Sequence, residues 1–291
     1  MKQTPDSHLG AFLRARRAQL TPQECGLPEP DSTRRVTGLL RQEVAQLAAI
    51  SVDYYTRPEQ GRVRASAPVL VTLVRVLRLE DDQKTYMYEL AGRSGARPHR
   101  RRAAEQLRPA MRRLLDQLTE TPALVLGRRL DILAWNPAAV ALYTDFATIP
   151  ADRRNYVHLL FTDPVVRGLH RAWEHDARDA VAALRMEAAA GPDDPDLVRL
   201  VGTLTIRDAD FRTWWAEHRV SGAGYGTKHY RHRLVGDLTL DCDTWAGPDG
   251  SGQRLMVLTA ETGTPSHDAL RILTSWTAQE PGTERTEDPT R

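Results

Sequence analysis

The chain has 291 residues, 41% hydrophobic and 27% charged, an ordinary soluble-globular balance long enough for about two domains. No run approaches the ~18 apolar residues of a membrane span, and the N-terminus MKQTPDSHLGAFLRARR holds no apolar signal-peptide core, so a cytoplasmic protein with no membrane partner is expected. Only two cysteines, Cys25 and Cys242, are present and far apart, which argues against a disulfide framework or a thiolate metal site.

The chain opens with short helices of 3.6-residue period. Leu9, Phe12, Leu13 and the stretch to Leu20 form the first, followed by a Pro- and Gly-rich loop over 21–38. A second helix is expected at about 41–48, with Val44, Ala45 and Ala48 on one face. Ser51 is the N-cap of a third, which Gly61 closes. Ser66 caps a fourth, with Pro68 in its first turn and an apolar stripe of Val69, Leu70, Leu73, Val74 and Leu77. A fifth runs through 82–91. Residues 1–92 thus read as an all-α five-helix domain.

A Gly-, Pro- and Arg-rich segment then marks a boundary, and 93–118 reads as a basic linker with a connecting helix at about 104–118. Charge is unevenly divided across it. Residues 1–92 carry 13 Lys/Arg against 11 Asp/Glu, residues 93–113 eight Arg against one Glu, and residues 114–291 19 basic against 26 acidic groups. A basic hinge on an otherwise acidic chain points to a polyanionic partner at one end, with Arg100, Arg101 and Arg102 as added phosphate contacts.

Residues 119–276 change texture. Two apolar runs around Gly127-Arg128-Arg129 predict a β-hairpin ending at Asn136-Pro137, an N-cap with a first-turn proline. A long helical stretch is expected over about 153–219, broken by GPDDPD. Strand patterns return at 228–232, 237–243 and 254–260, then a helix at about 266–276 and a polar tail, 277–291, expected to be disordered. Helices inserted between strands of one small sheet make an α+β domain.

The segment R41-QEVAQLAAISVDYYTRPEQG has the order of a helix-turn-helix: a small residue inside the first helix (Ala45), a tight turn (Ala49, Ile50) and a capped second helix. Tyr55 falls on the buried side. Val52, Asp53, Tyr54 and Thr56 fall at base edges, Arg41, Arg57, Arg62 and Arg64 are placed to position the DNA backbone, and Gln42 and Ser51 belong to the same DNA-binding set. Double-stranded DNA is the expected partner, read by a homodimer.

These residues resemble the Cro/repressor-type helix-turn-helix. With L9-GAFLRARRAQL, the G26-LPEP loop, L133-AWNP, L159-LFTDP, K228-HYRH and V235-GDLTLD, the chain is similar to the MmyB-like regulators of actinobacteria over nearly its whole length. Two positions depart from that pattern. Ala49 stands where glycine is usual, and Pro58 where the family carries an apolar residue. Proline lacks the N–H for an interior helical bond, so the third helix is expected to end about one turn early, turning Arg57 to a phosphate.

The resemblance implies a PAS-like second domain that holds a small apolar ligand, a fatty acid or similar apolar carboxylate, and no other cofactor. Asn136 at a helix start is placed to hold the head group. Trp135, Phe161, Trp173, Trp214, Trp215 and Tyr230 are candidates to line the cavity, with Arg185 and His232 as charged partners. Each has a plainer reading: Asn136 as a helix cap, the tryptophans as solid core. His218, His229 and His232 lack further ligands at metal spacing, and H170-RAWEHD, with no nucleophile or cofactor motif beside it, reads as a solvated helix face. No enzyme is expected. The expectation is a ligand-responsive DNA-binding regulator; the alternative is a second domain that only dimerises or docks a partner.

Overall fold

The computed structural model describes residues 5–28, 36–92, 107–190, 194–221, 226–246 and 251–279. Arg100, Arg101 and Arg102 and most of the expected tail lie outside the described residues. In chain order the helices and strands are α1 (Pro5–Gln19), α2 (Arg41–Leu47), α3 (Val52–Glu59), α4 (Ala67–Val76), α5 (Asp81–Gly92), α6 (Pro109–Gln117), β1 (Ala123–Leu126), β2 (Ile132–Trp135), α7 (Pro137–Leu142), α8 (Tyr156–Thr162), α9 (Pro164–Leu169), α10 (Trp173–Ala190), α11 (Pro195–Arg207), α12 (Ala209–Ala216), β3 (Gly226–His232), β4 (Gly236–Ala246), β5 (Arg254–Thr259) and α13 (Pro265–Gln279).

Two compact units result, Met1–Arg102 with Arg178–Ala223, and Ala103–Ala177 with Gly224–Arg291. The expected five helices of the N-terminal domain all form. Their core is built on Phe12, Leu13, Leu39, Val44, Tyr55, Leu73, Leu77 and Met87, and Ala189 of α10 belongs to the same cluster. Gly10 lets α1 cross α3 at backbone contact: a Cβ there would lie 2.3 Å from the Glu59 carbonyl oxygen. Gly38 does the same against Ala18, at 2.5 Å.

The second unit carries one five-stranded antiparallel sheet in the order β2-β1-β5-β4-β3, with helices inserted after β2, the α+β arrangement expected of a PAS-like domain. β1, Ala-Leu-Val-Leu, lies inside the sheet between β2 and β5 and is buried along its length, as a continuous apolar run requires. β3 alternates exposed and buried residues, so one of its faces meets water. Leu115 of α6 packs with Val125, Ala134 and Val257 on one side of the sheet.

Several boundaries differ from the sequence expectation, each for a local reason. The long helical stretch is cut into five helices, because Asn155, Asp163, Asp194 and Asp208 each accept N–H bonds from a new first turn. The connecting helix begins at Pro109, an N1 proline. The last helix runs past Trp276 to Gln279.

Candidate nucleic-acid interface and buried polar site

The turn between α2 and α3 is built by capping at both ends. The Leu40 N–H donates to the Glu43 carboxylate at 2.6 Å and starts α2. At its end Ala49 sits at φ 53°, the left-handed region, and the Ile50 N–H reaches back to the Ala45 carbonyl at 3.0 Å, the six-to-one bond of a Schellman motif. The Ser51 hydroxyl then accepts from the Tyr54 N–H at 3.1 Å and starts α3.

Helix α3 buries Tyr55, Pro58 and Glu59 and turns Val52, Asp53, Tyr54 and Arg57 outward. Ser51, Gln42, Arg62 and Arg64 are exposed as well. The expected early end does not occur: α3 continues through Pro58 to Glu59. Pro58 lies inward beside Gly10, and the carbonyls of Thr56, Arg57 and Pro58 are taken up by the N–H groups of Gln60, Arg62 and Gly61 at 2.9, 2.9 and 3.0 Å. Packing against α1 and this C-terminal bonding compensate the one missing helical donor. Arg57 pairs with the Asp53 carboxylate at 2.6 Å.

Glu59 is fully buried and accepts from Arg17 at 3.0 and 3.2 Å and from Arg41 at 3.1 Å. This clamp ties the end of α3 to α1 and α2. Arg41, expected on the DNA backbone, is therefore a partner of Glu59. The signal that would have found it is Glu59 lying four residues after Tyr55 on the inward face, where a carboxylate needs a cation.

The nine residues expected around one ligand are divided. Arg185, Trp214 and Trp215 belong to the first unit. There the Arg185 guanidinium, buried and lowered in pKa by that burial, lies 3.9 Å over the Trp215 ring and donates to the Trp215 carbonyl. Arg178 covers Trp214 at 5.0 Å. His218, 3.1 Å from Arg185, is pushed down to about 3 by burial and by the neighbouring Arg185, His8 and Arg14 charges.

The other six lie in the sheet unit in separate settings. Trp135 packs on Phe146 at 5.4 Å, under the Arg154 guanidinium. Phe161 meets Trp173 edge-on at 5.5 Å, with Arg167 3.5 Å above that indole. Asn136 has its amide fully engaged by backbone: Oδ1 accepts from Ala123 and Ala139 N–H at 3.0 and 2.9 Å, and Nδ2 donates to the Thr121 carbonyl at 2.7 Å and to that of Leu118. It joins β1, β2 and α7 and keeps no donor for a head group. His232 is buried, its pKa lowered chiefly by desolvation, and its Nδ1 accepts from the Leu234 N–H.

Tyr230 leads to a polar site the sequence reading missed. Its hydroxyl is 3.0 Å from that of Tyr143, and its ring centroid 4.8 Å from that of His170. His170 Nδ1 is 2.7 Å from Asp176 Oδ2, and Lys228 Nζ is 2.7 Å from Asp176 Oδ1. The solvated helix face expected at 170–176 is thus corrected: His170 and Asp176 are 4% exposed and bonded to each other. Burial pushes the Asp176 carboxyl up, but the hydrogen bonds and charges of His170 and Lys228 outweigh it and leave the pKa below its ordinary value. Desolvation lifts the phenols of Tyr143, Tyr156 and Tyr230 and pushes the Cys242 thiol up to about 11, so all four are neutral at pH 7. His170 Nε2 is buried without a hydrogen-bond partner among the described residues. The period of two along β3 was the available signal, since it puts Lys228, Tyr230 and His232 on one inward face.

A helix-turn-helix domain family model matches residues 8–85, and a model described as the ligand binding domain of MmyB-like transcription regulators matches residues 107–273. No curated protein matches the chain. Among the described residues no helix is long and apolar enough to cross a membrane.

Proposed function

The chain belongs to the MmyB-like transcription regulators, DNA-binding proteins with a ligand-binding domain, and from that premise we propose a sequence-specific regulator that reads DNA as a homodimer through α3 and responds to a small apolar acid such as a fatty acid. The observation that carries the DNA half is the exposed N-terminal face of α3, Val52 at 46% and Tyr54 at 41% exposure on a helix whose opposite side is buried. Large side chains left outward on the second helix of this motif suit the major groove.

The ligand half is supported by the site around His170. Nδ1 of His170 is engaged by Asp176, and Nε2 is buried without a hydrogen-bond partner among the described residues. An unmet buried polar atom costs roughly 1–3 kcal/mol. A carboxyl group placed there would supply the missing partner for Nε2, with the mutually bonded Tyr143 and Tyr230 hydroxyls alongside. Each methylene buried behind it would add about 0.8 kcal/mol.

Native mass spectrometry of the purified full chain, with solvent extraction of the same sample, tests both halves of the assembly. A dimer carrying an aliphatic acid, and an operator affinity that changes when the acid is removed, is the expected result. Equal operator affinity with and without the extracted acid counts against ligand control. A second reading, a sheet domain that only dimerises or docks a partner, is favoured by Trp135 and Trp173, each half-buried and already covered by an arginine guanidinium. A ligand-free dimer would select it.

A further inference from the structure

Helix α3 carries its polar outward side chains in a particular state of engagement. The Thr56 hydroxyl donates to its own helix, to the Val52 carbonyl at 2.7 Å. The Tyr54 hydroxyl donates to Ser66 at 3.4 Å. Ser51 is occupied by the cap. Asp53 and Arg57, one turn apart on the exposed face, hold each other through a single Nη2–Oδ2 contact of 2.6 Å. Arg57 is therefore the side chain of this face with donors to spare, since one of its five N–H groups is used.

An exposed i,i+4 ion pair contributes little to stability, about 0.3–0.5 kcal/mol, so folding is a weak reason for it. Docked on DNA, however, a lone carboxylate would face phosphates on both walls of the groove. Paired, it is neutralised and holds the guanidinium by one edge. The remaining N–H fork then projects from the recognition helix in one orientation, the arrangement that two parallel acceptors require. Guanine alone presents two acceptors, O6 and N7, on its major-groove edge.

We propose that Arg57 reads a guanine in each half-site and that Asp53 is the positioning residue that sets its guanidinium for that base. The inference rests on the DNA-binding reading above. Arg57 in this role is a specificity determinant, not the phosphate contact that its place near the end of α3 suggests.

Selection of binding sites from a random duplex library by the full chain, repeated with Asp53→Asn and Arg57→Ala, tests it. The parent chain should select sites with one invariant guanine per half-site. Arg57→Ala should abolish the preference at that base and leave the other selected positions in place. Asp53→Asn should lower the guanine-over-adenine ratio there by roughly tenfold or more, while binding to random duplex tightens because a negative charge is gone. Thermal unfolding of both variants within a few degrees of the parent excludes a folding defect as the cause. Uniform loss of affinity across all sequences in Arg57→Ala, with a shallower salt dependence, would mark a phosphate contact and overturn the proposal alone. A parent chain that selects no sequence overturns the DNA-binding reading, and this proposal with it.

Discussion

Among the described residues, each unit of this protein buries one carboxylate held by two nitrogen-bearing side chains, and the two clamps differ in their partners. Glu59 is gripped by two arginines through their planar guanidinium forks. The result is a fixed strut between α1, α2 and α3, suited to holding a recognition helix at one angle. Asp176 is gripped by a lysine and a histidine, with tyrosine hydroxyls alongside and one imidazole nitrogen unsatisfied. One clamp is closed by two guanidinium groups; the other leaves one imidazole nitrogen without a partner among the described residues.

Glu59→Ala leaves Arg17 and Arg41 facing each other and should cost about 3 kcal/mol or more, read by chemical denaturation of the full chain; a loss under 1 kcal/mol would mean the strut is ornamental. Asp176→Asn keeps the shape but strips the counter-charge from Lys228 and should cost about 2 kcal/mol near neutral pH. Because the Asp176 pKa is lowered, its contribution is present above the ordinary 3.8 and fades as pH falls through the folded value. The gap between parent and variant should therefore close in acid, and a gap independent of pH would contradict the assignment.

A smaller effect separates titration in the first unit from that in the second. His218 is pushed from 6.5 down to about 3, so the unfolded chain takes up its proton first. Parent stability should fall as pH drops below 6.5, by about 1 kcal/mol over the first unit, and His218→Gln should remove that slope. The smallest change is Ala49→Gly. Relief of a left-handed alanine, offset by the greater freedom of unfolded glycine, should stabilise the protein by on the order of 0.5 kcal/mol, measured as a slightly higher Tm with DNA binding unchanged.

Much of the fold was legible from local patterns. Ser51, Ser66 and Asn136 stand at helix starts as expected, and Ala49 makes the turn at the position where glycine is usual. The strands of the sheet follow from apolar runs and period-two alternation. Pro58 was misread because its cost was weighed locally, whereas the helix continues on the strength of burial against Gly10 and the bonds that close its C-terminal turn. The nine expected ligand residues were chosen by type, and type does not say which of them share a neighbourhood.

What sequence alone determined, then, is everything set within a few residues: helix starts, the helix-turn-helix order, the faces of β3 and the exposure of Val52 and Arg57. Tertiary structure decided the pairings over distance. Glu59 meets Arg17 from 42 residues away and Asp176 meets Lys228 from 52. A charge's role depends on the partner that compensates its desolvation, and that partner is chosen only when the chain has folded back on itself.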